Sequence, residues 1–201
     1  MSHTKPFDVI FVIVDAIHRG KVGYMWKNTR KYYSPWLDVI TFSIMIGAFL
    51  YVVICFGSLP AEIPIHFNGA GEADGWGNKG SIIGLMVVNF HAVMLCIILN
   101  YFLIIRSEDT MDSLQFINIP FIKKEELTLD QIYLVKKNAA RMIAVMNLMM
   151  SVLFGMIYYD IVQNGLDKES RLGSGIGIMI ILILFPIIYY TWKTYQDIKH
   201  S

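Results

Sequence analysis

Five side chains able to do chemistry stand within fourteen residues of one another: His66, Asn68, Glu72, Asp74 and Lys79. They bring an imidazole, an amide, two carboxylates and an ammonium group to the segment LPAEIPIHFNGAGEADGWGNK, residues 59–79. Three uses compete for them. His66, Glu72 and Asp74 supply one nitrogen and two carboxylates, enough for three ligands around zinc or another divalent metal, with water completing the shell. The spacing matches no helical zinc pattern such as HExxH, and no second His or Cys stands nearby. In a recognition reading, the acids together with Phe67 and Trp76 face a ligand or an extracellular peptide. In a structural reading, Asp74 pairs with Lys79, Asn78 or Ser81 caps the following helix, and His66 bonds a carboxylate or carbonyl, so that the segment forms a lid. No catalytic set stands out, so the reading is non-enzymatic, with a metal-dependent enzyme as the alternative and no other cofactor expected.

The backbone of this segment is built to be ordered. Pro60 and Pro64 restrict the chain around Glu62, while Gly69, Gly71, Gly75, Gly77 and Gly80 permit turns that a Cβ would resist. Fixing each residue costs about 1–2 kcal/mol, so a specific set of contacts must hold the loop down.

The elements that position it are set by composition. The chain is 55% hydrophobic and 16% charged, with a mean hydropathy of +0.51, too apolar for an ordinary soluble domain of 201 residues. Four stretches, about 37–57, 81–105, 140–162 and 172–192, carry the excess, and each is long enough to cross a hydrocarbon core that needs about 20 apolar residues. The expected fold is an all-α integral membrane protein. It divides into an N-terminal cytoplasmic or interfacial segment, 1–36, and a four-helix membrane domain, 37–201, with the motif loop 58–80 outside. Lys and Arg orient it: fourteen fall on one side of the membrane and three on the other, Lys79, Lys168 and Arg171. Positively charged short loops stay cytoplasmic, which predicts an N-in, C-in multi-pass protein with an ordered extracytoplasmic loop. The net charge of +1 is segregated along the chain, and no nucleic-acid-binding face is expected.

Residues 7–17, FDVIFVIVDAI, are apolar but too short to span. They read as an N-terminal interfacial helix beside basic residues suited to anionic headgroups of the lipid bilayer. No cleaved signal peptide is expected. Cys55 and Cys96 lie inside spans, which excludes a disulfide framework. Tyr and Trp cluster near the predicted interfaces. Thr128, three residues before Gln131, has capping-box spacing and predicts a helix running unbroken into the third span, and Pro186 is expected to kink the fourth.

Inside the spans, steps of seven and eleven residues put Asn89, Cys96 and Asn100 on one helical face, with His91 on another. Asn147 and Ser151 share a face of the third span, placed to hydrogen-bond the asparagines of the second. Interhelical glue is the plain reading; a small transporter, with His91 on its pathway, is the alternative. Gly173 and Gly177 form a small-xxx-small pair, a pattern that suits a homodimer contact.

The ordered pattern LP-x-x-IP-x-H-[FW]-N-x-x-G-x-x-D-G-[WY]-x-x-K is present as Leu59, Pro60, Ile63, Pro64, His66, Phe67, Asn68, Gly71, Asp74, Gly75, Trp76 and Lys79. It resembles the membrane domain of unknown function found in the SdpI family, which is named for an immunity protein against a sporulation-delaying peptide toxin. The resemblance covers chiefly the first two spans and their loop. It implies a protein of the bacterial plasma (inner) membrane with a part in immunity to, or sensing of, a membrane-active peptide. In the member that names the family, toxin binding is also coupled to capture of a cytoplasmic repressor. The family offers no catalytic residue to carry over.

Overall fold

The computed structural model describes residues 20–120, 122–167 and 173–201. Helix α1 (Lys21–Tyr32) precedes α2 (Trp36–Cys55), and strands β1 (Glu62–Phe67) and β2 (Ala73–Asn78) lead to α3 (Ser81–Leu99), which continues through a π-helical turn, Asn100–Ile105. Two short 3-10 turns, Met111–Leu114 and Lys124–Glu126, punctuate the path to α4 (Leu129–Asp167), and α5 (Ser174–Leu182) with α6 (Phe185–His200) completes the chain. The interfacial helix expected at residues 7–17 lies outside the described residues.

Four helical stretches are long and apolar enough to cross a membrane: Trp36–Cys55, Ser81–Ile105, Leu129–Leu166 and Gly175–His200. Only 17% of the most apolar window of each of the first two is buried inside the molecule. In water that exposure would cost far more than a domain can sustain, at about 25 cal/mol per Å² of apolar surface, so lipid is the solvent these faces suit. The buried positions form narrow stripes. Thr41, Met45 and Val52 line one face of α2, and Ile82, Asn89 and Val93 one face of α3, at the four- and seven-residue steps of a helix.

Helix α4 is the post around which the rest assembles. Its 39 residues rise about 58 Å, well beyond a hydrocarbon core of about 30 Å, and it packs against every other helix and against β1. The expected capping box starts it: Thr128 N–H donates to Gln131 Oε1 at 3.0 Å, and Gln131 N–H to Thr128 Oγ1 at 3.3 Å. Gln131 Nε2 also donates to the Ile198 carbonyl at 3.1 Å, tying the start of α4 to the end of α6. Lys31, Ser107, Tyr133 and Ile198 therefore share one end of the bundle, through bonds from Tyr133 Oη to Lys31 O and from Lys136 to Ser107 O. The hairpin lies at the other end, against Ile161 and Val162 of α4.

The fourth pass is interrupted where Pro186 predicts. Proline occupies the first turn of α6, and the chain between α5 and α6 closes with a tight bond from Leu184 N–H to Ile181 O at 3.1 Å.

One correction applies to an all-α description, because the motif loop is a two-stranded antiparallel hairpin. Three of the prolines and glycines that look like turn punctuation, Pro64, Gly75 and Gly77, sit within its strands. Pro64 pairs with Trp76 in a two-stranded ribbon, where a missing N–H is tolerated. Gly75 and Gly77 are required by closeness: a Cβ would fall 2.8 Å from His66 Cβ at the first and 2.6 Å from Ile65 Cδ1 at the second. Among the motif glycines of the described residues, Gly71 alone needs a left-handed backbone, at φ 79°.

Candidate functional site

The hairpin holds itself together from its tip to its root. At the tip, Asn68 Oδ1 accepts from Ala70 N–H at 2.9 Å and Glu72 N–H at 3.0 Å, while Asn68 N–H donates to Glu72 O at 2.8 Å. Gly71 N–H donates to Asn68 O at 2.9 Å, so one asparagine satisfies most of the turn. At the root, Lys79 Nζ donates to the carbonyls of Phe56 at 3.2 Å and Leu59 at 3.0 Å and lies 4.9 Å from the centre of the Phe56 ring. Lys79 N–H donates to Ala61 O at 2.9 Å, and Asn78 Oδ1 accepts from Gly80 N–H at 2.8 Å where α3 begins. Beneath, Leu59 and Ile63 are buried with Tyr158, Ile161 and Val162. A Cβ on Gly165 of α4 would meet Leu59 at 3.0 Å and Ile63 at 3.2 Å, so the hairpin sits directly on that helix.

The outward surface is acidic and partly aromatic. Along the turn and β2, Glu72, Asp74, Trp76 and Asn78 are exposed and alternate with Ala73, Gly75 and Gly77, the period of a strand with one face in solvent. Ile65 and Trp76 are each 49% exposed, and Glu62 is exposed on β1. His66 Nδ1 is bonded to Asp74 Oδ1. With side-chain exposures of 71% and 44%, that pair adds only roughly 0–1 kcal/mol to stability. Its effect is to orient an exposed imidazole.

The sequence-predicted residues do not all converge. His66 and Asp74 meet; Glu72 instead accepts from Asn68 Nδ2 at 3.4 Å, and among the described residues no three His, Cys, Asp or Glu side chains are grouped as a metal site. Lys79 serves backbone carbonyls rather than Asp74. Pro60 precedes β1, and Phe67 is half-buried against the core below.

The intramembrane polar residues part in the same way. Asn89 and Asn100 are buried on α3 as expected, but Cys96 on their flank is exposed. Asn100 Nδ2 donates to the Ala140 carbonyl at 3.1 Å and to Tyr33 Oη at 3.3 Å, and Asn147 Nδ2 to the Val93 carbonyl at 3.4 Å. Asn100 and Asn147 thus bond across to backbone and a phenol, not to each other. His91 is on the outer surface of the bundle, its Nδ1 bonded to the Val87 carbonyl one turn back at 2.7 Å, away from any interior pathway.

A second polar assembly, which single-sequence reasoning missed, lies at the opposite end. Lys136 is wholly buried, donating to the carbonyls of Ser107 at 2.7 Å and Glu108 at 3.2 Å and to Asp109 Oδ1 at 2.6 Å. Arg141 Nε donates to Tyr32 O at 2.7 Å and Tyr33 Oη to Asp38 Oδ2 at 3.0 Å. Burial, and then the Asp109 carboxylate, pushes the Tyr32 phenol well above its ordinary range; burial and then Asp38 does the same to Tyr33, so both remain neutral donors. The signal available in the sequence was the pair Lys136–Lys137 after the apolar Leu134 and Val135, which reads equally well as a solvated face.

Residues 43–90 match a family described as a domain of unknown function (DUF1648). The match runs from Ser43 in α2 through the hairpin to Phe90 in α3, so it is centred on the hairpin and leaves out α4 beneath it. No curated protein matches the chain, and no solved structure does.

Proposed function

We propose that this membrane protein is a non-enzymatic, SdpI-like receptor of the bacterial plasma membrane. On this reading both termini are cytoplasmic, and the hairpin recognises a membrane-active peptide at the outer face, in immunity or sensing. The observation that carries the reading is the hairpin: a rigid surface held at both tip and root, with its acids turned outward. Glu62, Glu72 and Asp74 are exposed, while Lys79, the cation among them, is already occupied by two carbonyls. That surface suits a cationic, amphipathic peptide whose apolar side meets Trp76 and Ile65. The outer edge of β2 has no strand neighbour among the described residues, and an extended peptide adds to such an edge through main-chain bonds. The domain matched at residues 43–90 occurs in SdpI-like membrane proteins, which agrees with this reading.

Expression in a cell sensitive to cationic membrane-active peptides tests it. Tolerance is expected to rise, and His66→Ala or Asp74→Ala to abolish the gain at unchanged protein level. Equal survival with and without the protein across a panel of such peptides would defeat the proposal.

A further inference from the structure

At the end of the bundle away from the hairpin, α1 stands off from α2 and α3 and leaves a groove. Val22, Met25, Trp26 and Thr29, one stripe of α1, face it on one side; Phe42 of α2 and Ile97 of α3 face it on the other. Its volume is about 310 Å³ and its walls are nearly all apolar. A second cavity of about 390 Å³ shares Met25 and Tyr101 with the first and adds Lys21, Tyr24, Phe102 and Arg106.

The placement of these residues is specific. Arg106 directly follows the last residue of the second pass and Trp36 opens the first, so the rim lies where hydrocarbon gives way to headgroups, and the groove opens below it. Neither Lys21 nor the Arg106 guanidinium has a hydrogen bond or ion pair among the described residues; Arg106 lies over the Phe102 ring at 5.5 Å. Among the described residues no carboxylate lines the rim cavity. Asp38, which lines the inner groove, already accepts a bond from Tyr33 Oη.

Two cations with no side-chain hydrogen bond or ion pair among the described residues, at the headgroup level over an apolar slot at the acyl-chain level, match one kind of molecule. We propose that this groove is a binding site for an anionic phospholipid, its phosphate between Lys21 and Arg106 and an acyl chain against Phe42 and Ile97. An extended polypeptide segment is a poorer fit, because the largely apolar walls give its backbone few polar partners within the hydrocarbon.

The whole protein in detergent, offered phosphatidylglycerol, phosphatidylcholine or inorganic phosphate, tests this by native mass spectrometry. One phosphatidylglycerol is expected to remain bound where phosphatidylcholine and phosphate do not. The double substitution Lys21→Gln, Arg106→Gln should weaken retention by about 30-fold, whereas Lys27→Gln, Lys31→Gln on the same helix should change it less than threefold. Equal retention of the two lipids, or an equal loss in both double variants, would overturn the site in favour of diffuse attraction to a basic surface. A photo-reactive residue at Met25 supplies an assay that does not depend on the charge variants folding. Crosslinking to phospholipid in membranes is the expected result, and crosslinking to another part of the polypeptide would refute the proposal.

Discussion

At the scale of single residues, Lys79 shows how a charged side chain can be structural. Its ammonium joins the end of α2, the chain leading to β1 and the start of α3 by donating to the carbonyls of Phe56 and Leu59 and lying over the Phe56 ring. Lys79→Met keeps the stem but loses both bonds, and the two carbonyls, half-screened from water, are left to find other donors. We expect a loss of about 1–3 kcal/mol, seen as a lower midpoint of thermal unfolding in detergent and faster amide exchange across β1 and β2. His66→Ala should leave the same measurements nearly unchanged, because the His66–Asp74 pair is exposed. The two substitutions thus separate a residue that holds the hairpin from one that the hairpin displays. The sequence put both in the same chemical cluster. It could not sort them, since the distinction depends on which atoms face the bundle.

At the scale of elements, the contact between α4 and β1 decides how firmly the hairpin is seated. Gly165→Val would press new methyl groups against Leu59 and Ile63, already within 3.2 Å of where a Cβ would stand. The expected cost is about 1–3 kcal/mol from overpacking, with amide exchange rising in β1. Gly84→Ala on α3 is the contrasting case: nothing lies within 4 Å of its added Cβ, and a helical alanine is favoured by about 0.5–1 kcal/mol, so thermal stability should hold or rise. Legibility from sequence varied from element to element. The start of α4 and the break at Pro186 were readable because each depends on residues close in sequence. The hairpin was legible as an ordered loop but not as strands, since its alternation is carried by glycines whose partners lie across the ribbon. Cys96 shows the limit of periodicity: helical phase places it beside Asn89, but too few neighbours cover that flank for phase alone to imply burial.

At the scale of the whole molecule, membrane residence follows from apolar surface that the fold leaves uncovered, and composition alone was enough to foresee it. Orientation rests on the distribution of Lys and Arg and has a direct test. With Cys55 and Cys96 replaced by serine, a cysteine at Ala73 is expected to react with a membrane-impermeant maleimide in intact cells, and one at Gln115 only after permeabilisation. The reverse pattern would place the hairpin inside the cell and remove the peptide proposal with it. The polar assembly around Lys136 lay beyond sequence reasoning for a plain reason: its partners, Ser107, Glu108 and Asp109, come from a different connection, and a lysine reaching them across 27 or more positions leaves no periodic trace.

The continuity of α4 has a mechanical consequence. Gly165 under the hairpin and Lys136 at the far end belong to one unbroken rod and stand about 44 Å apart at 1.5 Å per residue. If that rod pivots as a stiff body, a tilt of about 5° imposed at the hairpin carries the opposite end sideways by about 4 Å, more than the reach of any bond Lys136 makes. A push on one face of the bilayer is in that way geometrically available on the other, with no jointed relay between them.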